Sequence, residues 1–177
     1  IITAAGAIER PLSFAGNDIP GVMLASALRD YVVNWGISPG DRTVIVTNND
    51  DAYRTALVLH EAGLSVPALV LCAQAGEGAA TDEIACEAVA MSGGWSPVVH
   101  LWSHCGGKLI WDAERSHFRP DAARAPTGHD GKPFVITAGA ASGAETAGDV
   151  LADAETAAGA AADALGRSLP DLDAAGT

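Results

Sequence analysis

The sequence predicts an α/β fold that contains a parallel sheet, and three neighbouring segments lead to this prediction. Asp41–Thr47 is a short apolar run behind a Pro-Gly turn, which is typical of a buried strand. Ala52–Ala62 has apolar residues at helical spacing and is followed by Gly63, a common residue at a helix end. Val66–Cys72 is a second buried strand. A strand, a helix and a strand in this order form a Rossmann-type unit.

The segments before this unit predict a strand, a loop and a helix. Ile1–Ala5 is expected to be a strand that ends at Gly6-Ala7, and Pro11–Gly21 is a loop rich in Pro and Gly. Val22–Trp35 has one apolar face and is predicted as an amphipathic helix that Gly36 ends. The chain opens without an initiator Met, so we expect it to be part of a longer polypeptide.

The segments after the unit are shorter and richer in small residues. Ala73–Thr81 is predicted as a linker or an exposed turn. Further predictions are a strand at Ala88–Met91, a small hairpin from Lys108–Asp112 and the region around Phe118, a polar loop at Pro120–Lys132, a strand at Phe134–Thr137, and an Ala-rich helix at Ala147–Leu165 closed by Gly166. The tail from Ser168 is expected to be frayed.

The composition limits the classes of partner. The 177 residues are 49% apolar, which is ample for a core, and the formal net charge is −12. Nucleic acids and anionic membranes require basic surface, so neither is expected as a partner. No apolar run reaches membrane-spanning length. Three cysteines (Cys72, Cys86 and Cys105) cannot all pair with one another, and they favour a reducing, cytoplasmic location.

The start of the predicted helix after Thr47 lacks the features of a dinucleotide site. A diphosphate requires free backbone N–H groups and glycines that allow close approach, but Asn48–Leu57 contains no glycine. Asp50 and Asp51 suit the helix start as caps and would repel a phosphate. At the end of the second strand, Cys72-Ala73-Gln74 replaces the acidic residue that would meet a ribose. We therefore predict a nucleotide-domain shape without nucleotide binding.

Three other segments are candidates for ligand contact. Gly6-Ala7 follows a strand end, where open α/β sheets place ligands, and the nearby Arg10 could bind a phosphate or a carboxylate. An ion pair of Arg10 with Glu9 or Asp18 is an equally good explanation.

Gly139–Gly143 is the second candidate, because its amides could face an anion, although a tight turn made for packing has the same sequence. Gly93–Pro97 is the third, because two glycines before a tryptophan suggest close approach by a flat ring or a neighbouring domain.

Other catalytic and metal-binding patterns are weak. His100 and His104 share a helical face, and Cys105 follows, but no fourth metal ligand is apparent, so no metal site is predicted. The sequence has no nucleophile elbow and no Walker loop. Trp102 and Trp111 are expected to serve packing.

Several motifs resemble one family of flavoproteins. Ala4–Pro11 is similar to the ATGA-x-ERP segment of flavoproteins with two dinucleotide-binding domains, with Ala5 in place of the Thr. Other segments closely resemble the alpha subunit of heterotetrameric sarcosine oxidase: Asn17–Ala27, Thr47–Ala56, Ser92–Leu101 and Gly106–Asp112. Related amine and opine dehydrogenase subunits share the ERP segment and match the rest less well.

The resemblance implies a fold similar to that of the two-domain disulfide reductases, with NAD held in an FAD-like domain. It also implies a beta subunit with a covalent flavin, an FMN between the two subunits, and smaller subunits. Such an assembly demethylates sarcosine to glycine, forms hydrogen peroxide and passes the methylene group to tetrahydrofolate. FAD, FMN and tetrahydrofolate are expected on that complex and not on this chain alone. The positions that match the NAD site are Gly6, Ala7, Glu9, Arg10, Gly139, Ala140, Ala141 and Gly143.

The sequence also departs from the family pattern. The family's glycine fingerprint for the NAD diphosphate would lie before Ile1, and its folate-binding region is missing at the other end. Between Cys72 and Ile84 the family has a longer stretch with another strand, and Ser103-His104-Cys105 differs from the family's usual residues. We therefore expect the isolated chain to lack sarcosine oxidase activity and to bind NAD weakly or not at all.

Together these observations predict a Rossmann-like three-layer domain inserted between pieces of an FAD/NAD(P)-binding-type domain. The expected boundaries are residues 1–21 and 92–166 for the outer domain, 22–91 for the middle domain, shortened near 73–82, and 167–177 for a flexible tail. The predicted function is the NAD-associated part of an oxidoreductase subunit that acts on CH–NH donors. The alternatives are a subunit of an opine or amino acid dehydrogenase, and a non-catalytic interaction module for a flavoprotein partner.

Overall fold

A computed structural model describes residues 1–72 and 83–167. The predicted bridge at Ala73–Thr81 and the predicted tail from Ser168 lie outside the described residues. The chain divides into two compact units. The first comprises Ile1–Ile8 and Ser96–Thr177, and the second comprises Glu9–Trp95.

The described residues form ten short strands and four α-helices. In chain order they are β1 (Ile2–Thr3), β2 (Ala7–Glu9), β3 (Val22–Leu24), α1 (Ala25–Trp35), β4 (Thr43–Thr47), α2 (Asp51–Glu61), β5 (Leu69–Leu71), β6 (Ala88–Ser92), β7 (Trp95–Pro97), α3 (His100–His104), β8 (Leu109–Asp112), β9 (His117–Pro120), β10 (Ile136–Thr137) and α4 (Ala147–Ala164). Strands β2 and β7 form a two-stranded sheet.

The second unit contains a four-stranded parallel sheet in the order β3-β6-β4-β5. Ile45 of β4 and Ala90 of β6 are register partners and are both fully buried. Helices α1 and α2 place Leu28 and Leu59 in the same apolar cluster. The small Ala90 lets the helices approach the sheet closely, so this cluster is the core of the unit.

The first unit is built on shorter strands. Strands β1 and β10 are parallel, and the Ala138 amide donates a hydrogen bond to the Thr3 carbonyl oxygen just after the pair ends. Strands β8 and β9 form the predicted antiparallel hairpin. Helix α4 is capped by Thr146, whose hydroxyl accepts a hydrogen bond from the Asp149 amide, and Gly166 follows its end with a φ of 64°. The predictions of the hairpin and of the Ala-rich helix are therefore confirmed.

Several predicted boundaries were wrong. The strands predicted at Ile1–Ala5 and Phe134–Thr137 are limited to Ile2–Thr3 and Ile136–Thr137. Val22–Leu24 is a strand and not the first turn of α1, because Val22 and Leu24 pair with Val89 and Met91 of β6. The hydrophobic periodicity of this segment suits a helix, but pairing within the sheet decides its structure. The second buried strand also begins later than predicted, at Leu69 instead of Val66.

Candidate functional site

Several backbone amides at the start of α2 already have partners within the chain. The Asn49 side-chain oxygen accepts a hydrogen bond from the Asp51 amide at 3.1 Å, and the Asn49 amide donates to the Thr47 hydroxyl at 3.0 Å. The Tyr53 amide donates to a backbone carbonyl at 3.1 Å. The predicted capping role of Asp50 was wrong, since its side chain makes no capping bond and Asn49 supplies one instead. A diphosphate here would have to displace these bonds.

The charge at this helix start is also arranged differently from the prediction. The Asp51 carboxylate lies 3.5 Å from Arg29 Nη1 and 3.3 Å from Arg54 Nη1. Arg29 also donates to the Thr55 hydroxyl at 3.4 Å and so connects α1 with α2. The pairing offsets the Asp51 charge, whereas Asp50 is exposed to solvent. The occupied amides are therefore a stronger obstacle to a phosphate than the repulsion inferred from the sequence.

Glu9 and Arg10, two of the predicted NAD positions, make contacts inside the second unit. Glu9 is 4% exposed, and its Oε2 accepts a hydrogen bond from the Ser26 amide at 2.9 Å, in the first turn of α1. The residue that precedes α1, Leu24, cannot cap the helix with its side chain. A carboxylate in this place stabilises the positive end of the helix dipole, so Glu9 serves as a cap supplied from a distant segment.

Arg10 joins its own segment to the Gly93-Gly94 loop. Its amide donates to the Gly94 carbonyl at 2.8 Å, its carbonyl accepts from the Gly93 amide at 2.7 Å, and its Nε donates to the Gly93 carbonyl at 2.9 Å. A Cβ at Gly93 would lie 2.8 Å from the Arg10 carbonyl oxygen, and one at Gly94 would lie 2.7 Å from Arg10 Nη2. The sequence predicted close approach to these glycines by a ring or a neighbouring domain, but the Arg10 segment is what approaches them.

The remaining predicted NAD positions all belong to the first unit. Gly6 and Ala7 follow β1, and the segment Gly139–Gly143 follows β10. Because β1 and β10 are parallel neighbours, both segments lie at the carboxyl edge of the same two-stranded sheet. Gly6 has a φ of 76° and Gly139 one of 66°, which are left-handed values that favour glycine. This common edge is consistent with a shared ligand site, and their binding of NAD remains a prediction.

The turn after β10 is held by a residue that the sequence did not single out. Gly139–Ala141 forms a short 3₁₀ helix. The Gly139 amide donates to Asp153 Oδ2 of α4 at 2.6 Å, and the Ser142 hydroxyl lies 2.7 Å from the same oxygen. Asp153 is one of three Asp residues in the Ala-rich helix, and it is a weak signal in the sequence because most such residues are solvated.

A polar cavity of about 360 Å³ lies beside this turn in the first unit. It is lined by Asp112, Arg115, Arg119, Ser142, Gly143, Ala144, Glu145 and Asp149. A hydrogen bond from the Arg115 backbone amide lowers the pKa of Asp112, and the charges of Arg115, His117 and Arg119 add to this effect. The Glu145 carboxylate, 2.8 Å away, raises the pKa of Arg115. The cavity wall is thus an ion-pair network.

Trp102 and Trp111 pack within the chain, as expected, and the weak metal candidates of the sequence do not form a cluster in the described residues. Trp102 is buried, and its ring nitrogen donates to the Lys108 carbonyl at 2.7 Å, while Trp111 packs edge-on against Phe118 at 4.9 Å between ring centroids. In residues 1–72 and 83–167 no cluster of three or more His, Cys, Asp or Glu side chains is placed to hold a metal ion. Nor does this part of the chain contain a helix long and apolar enough to cross a membrane.

The chain is similar to three curated proteins named sarcosine oxidase subunit alpha. It is 38% identical over 148 residues to the one from Rhizobium meliloti (strain 1021), covering 66% of this chain and 15% of that protein. It is 31% identical over 196 residues to the one from Corynebacterium sp. (strain P-1), covering 83% of this chain and 20% of that protein. A second Corynebacterium protein, from strain U-96, is 29% identical over 163 residues. The resemblance to the sarcosine oxidase alpha subunits is thereby confirmed.

The chain spans a fifth or less of the length of these relatives. Its fold is similar to that of the L-proline dehydrogenase from P. horikoshii, with a TM-score of 0.73 and 19% identity, over 96% of this chain and 35% of that one. At this identity the match supports a common α/β fold and nothing about activity. No protein-family model matches the chain.

Proposed function

We propose that this chain is the NAD-associated region of a sarcosine oxidase-type alpha subunit. In this proposal the second unit, Glu9–Trp95, is a Rossmann-like domain inserted into an FAD/NAD(P)-binding-type domain, and it serves as a scaffold. NAD is bound by the first unit, at the carboxyl edge of β1 and β10. The 38% identity to the Rhizobium meliloti subunit alpha supports the family context.

One structural observation favours the first unit over the second as the unit that binds NAD. The amides of Asn49 and Asp51 at the start of α2 are bonded within the chain, and the segment contains no glycine. The β1–β10 edge, in contrast, is followed by Gly6, which has a left-handed conformation and no atom within 4 Å of an added Cβ, so a ligand can approach the backbone there. The edge is therefore the better candidate for a dinucleotide.

The activity proposed for the whole assembly is that of the family. A flavin-bearing beta subunit and smaller subunits complete the complex, which oxidises sarcosine to glycine with formation of hydrogen peroxide and transfers the methylene group to tetrahydrofolate. This chain supplies no catalytic residue in the proposal and is inactive alone. Its three cysteines are free and exposed, which fits a cytoplasmic location.

A chimera tests the proposal, with this chain in place of the matching stretch of the Rhizobium meliloti subunit. The purified complex should contain NAD, measured by chromatography and absorbance of a denatured extract. Asp50→Asn with Asp51→Asn should leave the NAD content unchanged, whereas Gly6→Ala should lower it. Gly131→Ala, which has a similar φ and equally open space in the same unit, serves as the control. A complex without NAD, or NAD loss only in the helix-start variant, would contradict the proposal.

The same chimera separates the alternatives. Oxidation of an opine or another secondary amine in preference to sarcosine would support the dehydrogenase-subunit alternative. Capture of the purified beta subunit by the chain, without NAD in the complex, would support an interaction module.

A further inference from the structure

Strand β5 is an outer strand of the four-stranded sheet in the second unit. In the part of the chain that the structure describes, it pairs with β4 alone. The Cys72 amide donates to the Thr47 carbonyl oxygen of β4 at 2.7 Å. Successive residues of a strand direct their backbone groups to opposite sides, so the amides and carbonyls of Leu69 and Leu71 point away from β4. These groups form an open edge of the sheet.

This edge lacks the features that keep edge strands from pairing. Proteins protect such strands with lysine, with inward-pointing charges or with proline inside the strand. The segment 64–72 contains no charged residue, and its single proline, Pro67, precedes the strand. The side chains of Val70 and Leu71 are 40% and 56% exposed. The edge is therefore apolar and able to accept another strand.

Helix α2 has exposed apolar side chains on the side that faces away from α1. Tyr53 and Leu57 are 45% and 62% exposed, and their spacing of four residues places them on one face of the helix. Thr55 lies on the other side, where its hydroxyl donates to the Ala25 carbonyl oxygen at 3.3 Å. Because α1 follows β3 at the opposite end of the sheet, Tyr53 and Leu57 lie on the side of the unit that β5 closes.

We propose that this edge is a dimerisation surface, at which β5 of a second copy of the chain pairs antiparallel with β5 of the first. An antiparallel pair centred on Val70 places Leu69 of one copy opposite Leu71 of the other. The outward amides and carbonyls of these two residues then bond to each other on both sides of a twofold axis. The same patch serves both copies, so the assembly closes at two. This inference is independent of the proposed function.

Charges on α2 favour this arrangement over other occupants. Arg54, near the start of the helix, is 74% exposed and lies 3.3 Å from Asp51, and Glu61 ends the helix on an exposed position. A twofold axis beside β5 makes the two α2 helices antiparallel, so the Arg54 end of one copy adjoins the Glu61 end of the other. Opposite charges and opposite ends of the helix dipoles are thereby brought together.

The size of the surface sets the expected affinity. Each copy contributes one short strand and a few half-exposed apolar side chains, which is less than the roughly 800 Å² per partner of a standard interface. The net charge of −12 on each copy also opposes association until salt screens it. We therefore expect a weak dimer, with a Kd of about 100 µM at moderate salt.

Sedimentation equilibrium of the full chain tests the proposal, over about 5–500 µM protein in about 0.3 M salt. Leu71→Lys should weaken the dimer about tenfold, because it places a charge on the pairing edge. Leu71→Pro removes an outward amide but no bond to β4, and it should have a similar effect. Val33→Lys is the matched control, since Val33 is 63% exposed on α1 and the same charge is added there.

A charge exchange tests the orientation of the two copies. Arg54→Glu and Glu61→Arg should each weaken the dimer about fivefold, because each places like charges together across the axis. The two substitutions combined should restore the affinity to within about twofold of the original. Both residues are exposed, so these variants decide the matter if the Leu71 variants do not fold. Failure of the combined variant to recover would overturn the antiparallel arrangement.

Hydrogen exchange of the Leu69 and Leu71 amides identifies what covers the edge. Protection that rises with the dimer fraction is the expected result. Protection already present in the dilute monomer would show that the chain covers its own edge, and protection only after addition of a purified flavoprotein subunit would show a different partner. Either result would overturn the proposal. So would a monomer at every concentration, or a dimer that both Leu71 variants leave unchanged.

Discussion

Replacement of Gly94 by alanine tests whether Arg10 and the Gly93-Gly94 loop form one structural contact. Gly94 has a φ of 85°, and a Cβ there would lie 2.7 Å from Arg10 Nη2. Alanine therefore has two costs, a strained backbone and a displaced guanidinium. Gly63→Ala is the matched control in the same unit, because Gly63 has a φ of 78° and no atom within 4 Å of the added Cβ.

The two costs can be estimated separately. An alanine forced to a left-handed φ costs about 1–2 kcal/mol, and this applies to both substitutions. Displacement of the Arg10 side chain also breaks the 2.9 Å bond from its Nε to the Gly93 carbonyl oxygen, which is worth about 1.5 kcal/mol at a half-buried site. Gly94→Ala should therefore destabilise the second unit by about 3 kcal/mol, roughly twice the effect of Gly63→Ala.

Native-state hydrogen exchange of amides in β4 and β6 is the assay, because it reports the stability of the second unit by itself. In an Arg10→Ala background the effect of Gly94→Ala should fall to that of Gly63→Ala, since no guanidinium remains to be displaced. Equal effects of the two glycine substitutions in the wild-type chain would refute the reasoning. So would an effect of Gly94→Ala that Arg10→Ala leaves unchanged.

Three further predictions concern side chains that stabilise one unit or the other from within. Asn49→Ala removes the bond to the Asp51 amide and should cost about 1–2 kcal/mol of stability, measured by exchange of the α2 amides. Glu9→Ala should destabilise α1 by a similar amount through loss of the contact to Ser26, while Glu9→Gln keeps an acceptor and should cost less. The folded-state pKa of Asp112 lies below its ordinary value of 3.8, so its stabilising effect is present above that pH and is lost as the pH falls through the folded pKa. Asp112→Asn should therefore weaken the acid dependence of β8–β9 amide exchange below about pH 4, and an unchanged profile would contradict this.

Local patterns predicted the elements whose signals agree with their surroundings. This holds for the strand Thr43–Thr47, the helix that follows it and the Ala-rich α4. Each has a clear pattern of apolar or small residues and is bounded by turn, capping or stop residues. Val22–Leu24 fits the helix prediction because a short apolar run is compatible with the residue spacing of both a helix and a strand. Its pairing with β6 depends on residues more than sixty positions away. Non-local pairing of this kind is invisible to a local pattern.

The candidate site was predictable to a similar degree. The absence of glycine at the start of α2 follows directly from the sequence, but the capping role of Asn49 depends on its orientation toward Ser92 and Asp51. The carboxylate of Glu9 and the guanidinium of Arg10 resemble ligand contacts in the sequence, whereas the folded chain directs them to Ser26 and Gly93. Buried structural contacts and ligand contacts require the same residue types, so only the fold separates them.

The central claim is that the start of α2 does not accept a diphosphate, because the amides of Asn49, Asp51 and Tyr53 are bonded within the chain and the segment has no glycine. A crystal structure of the chain grown with millimolar NAD tests this claim most directly. We expect cofactor density against the first unit, at the carboxyl edge of β1 and β10, with the bonds of Asn49 to Asp51 and Thr47 intact. Diphosphate density seated against Asn49 and Asp51, with those bonds broken, would contradict it.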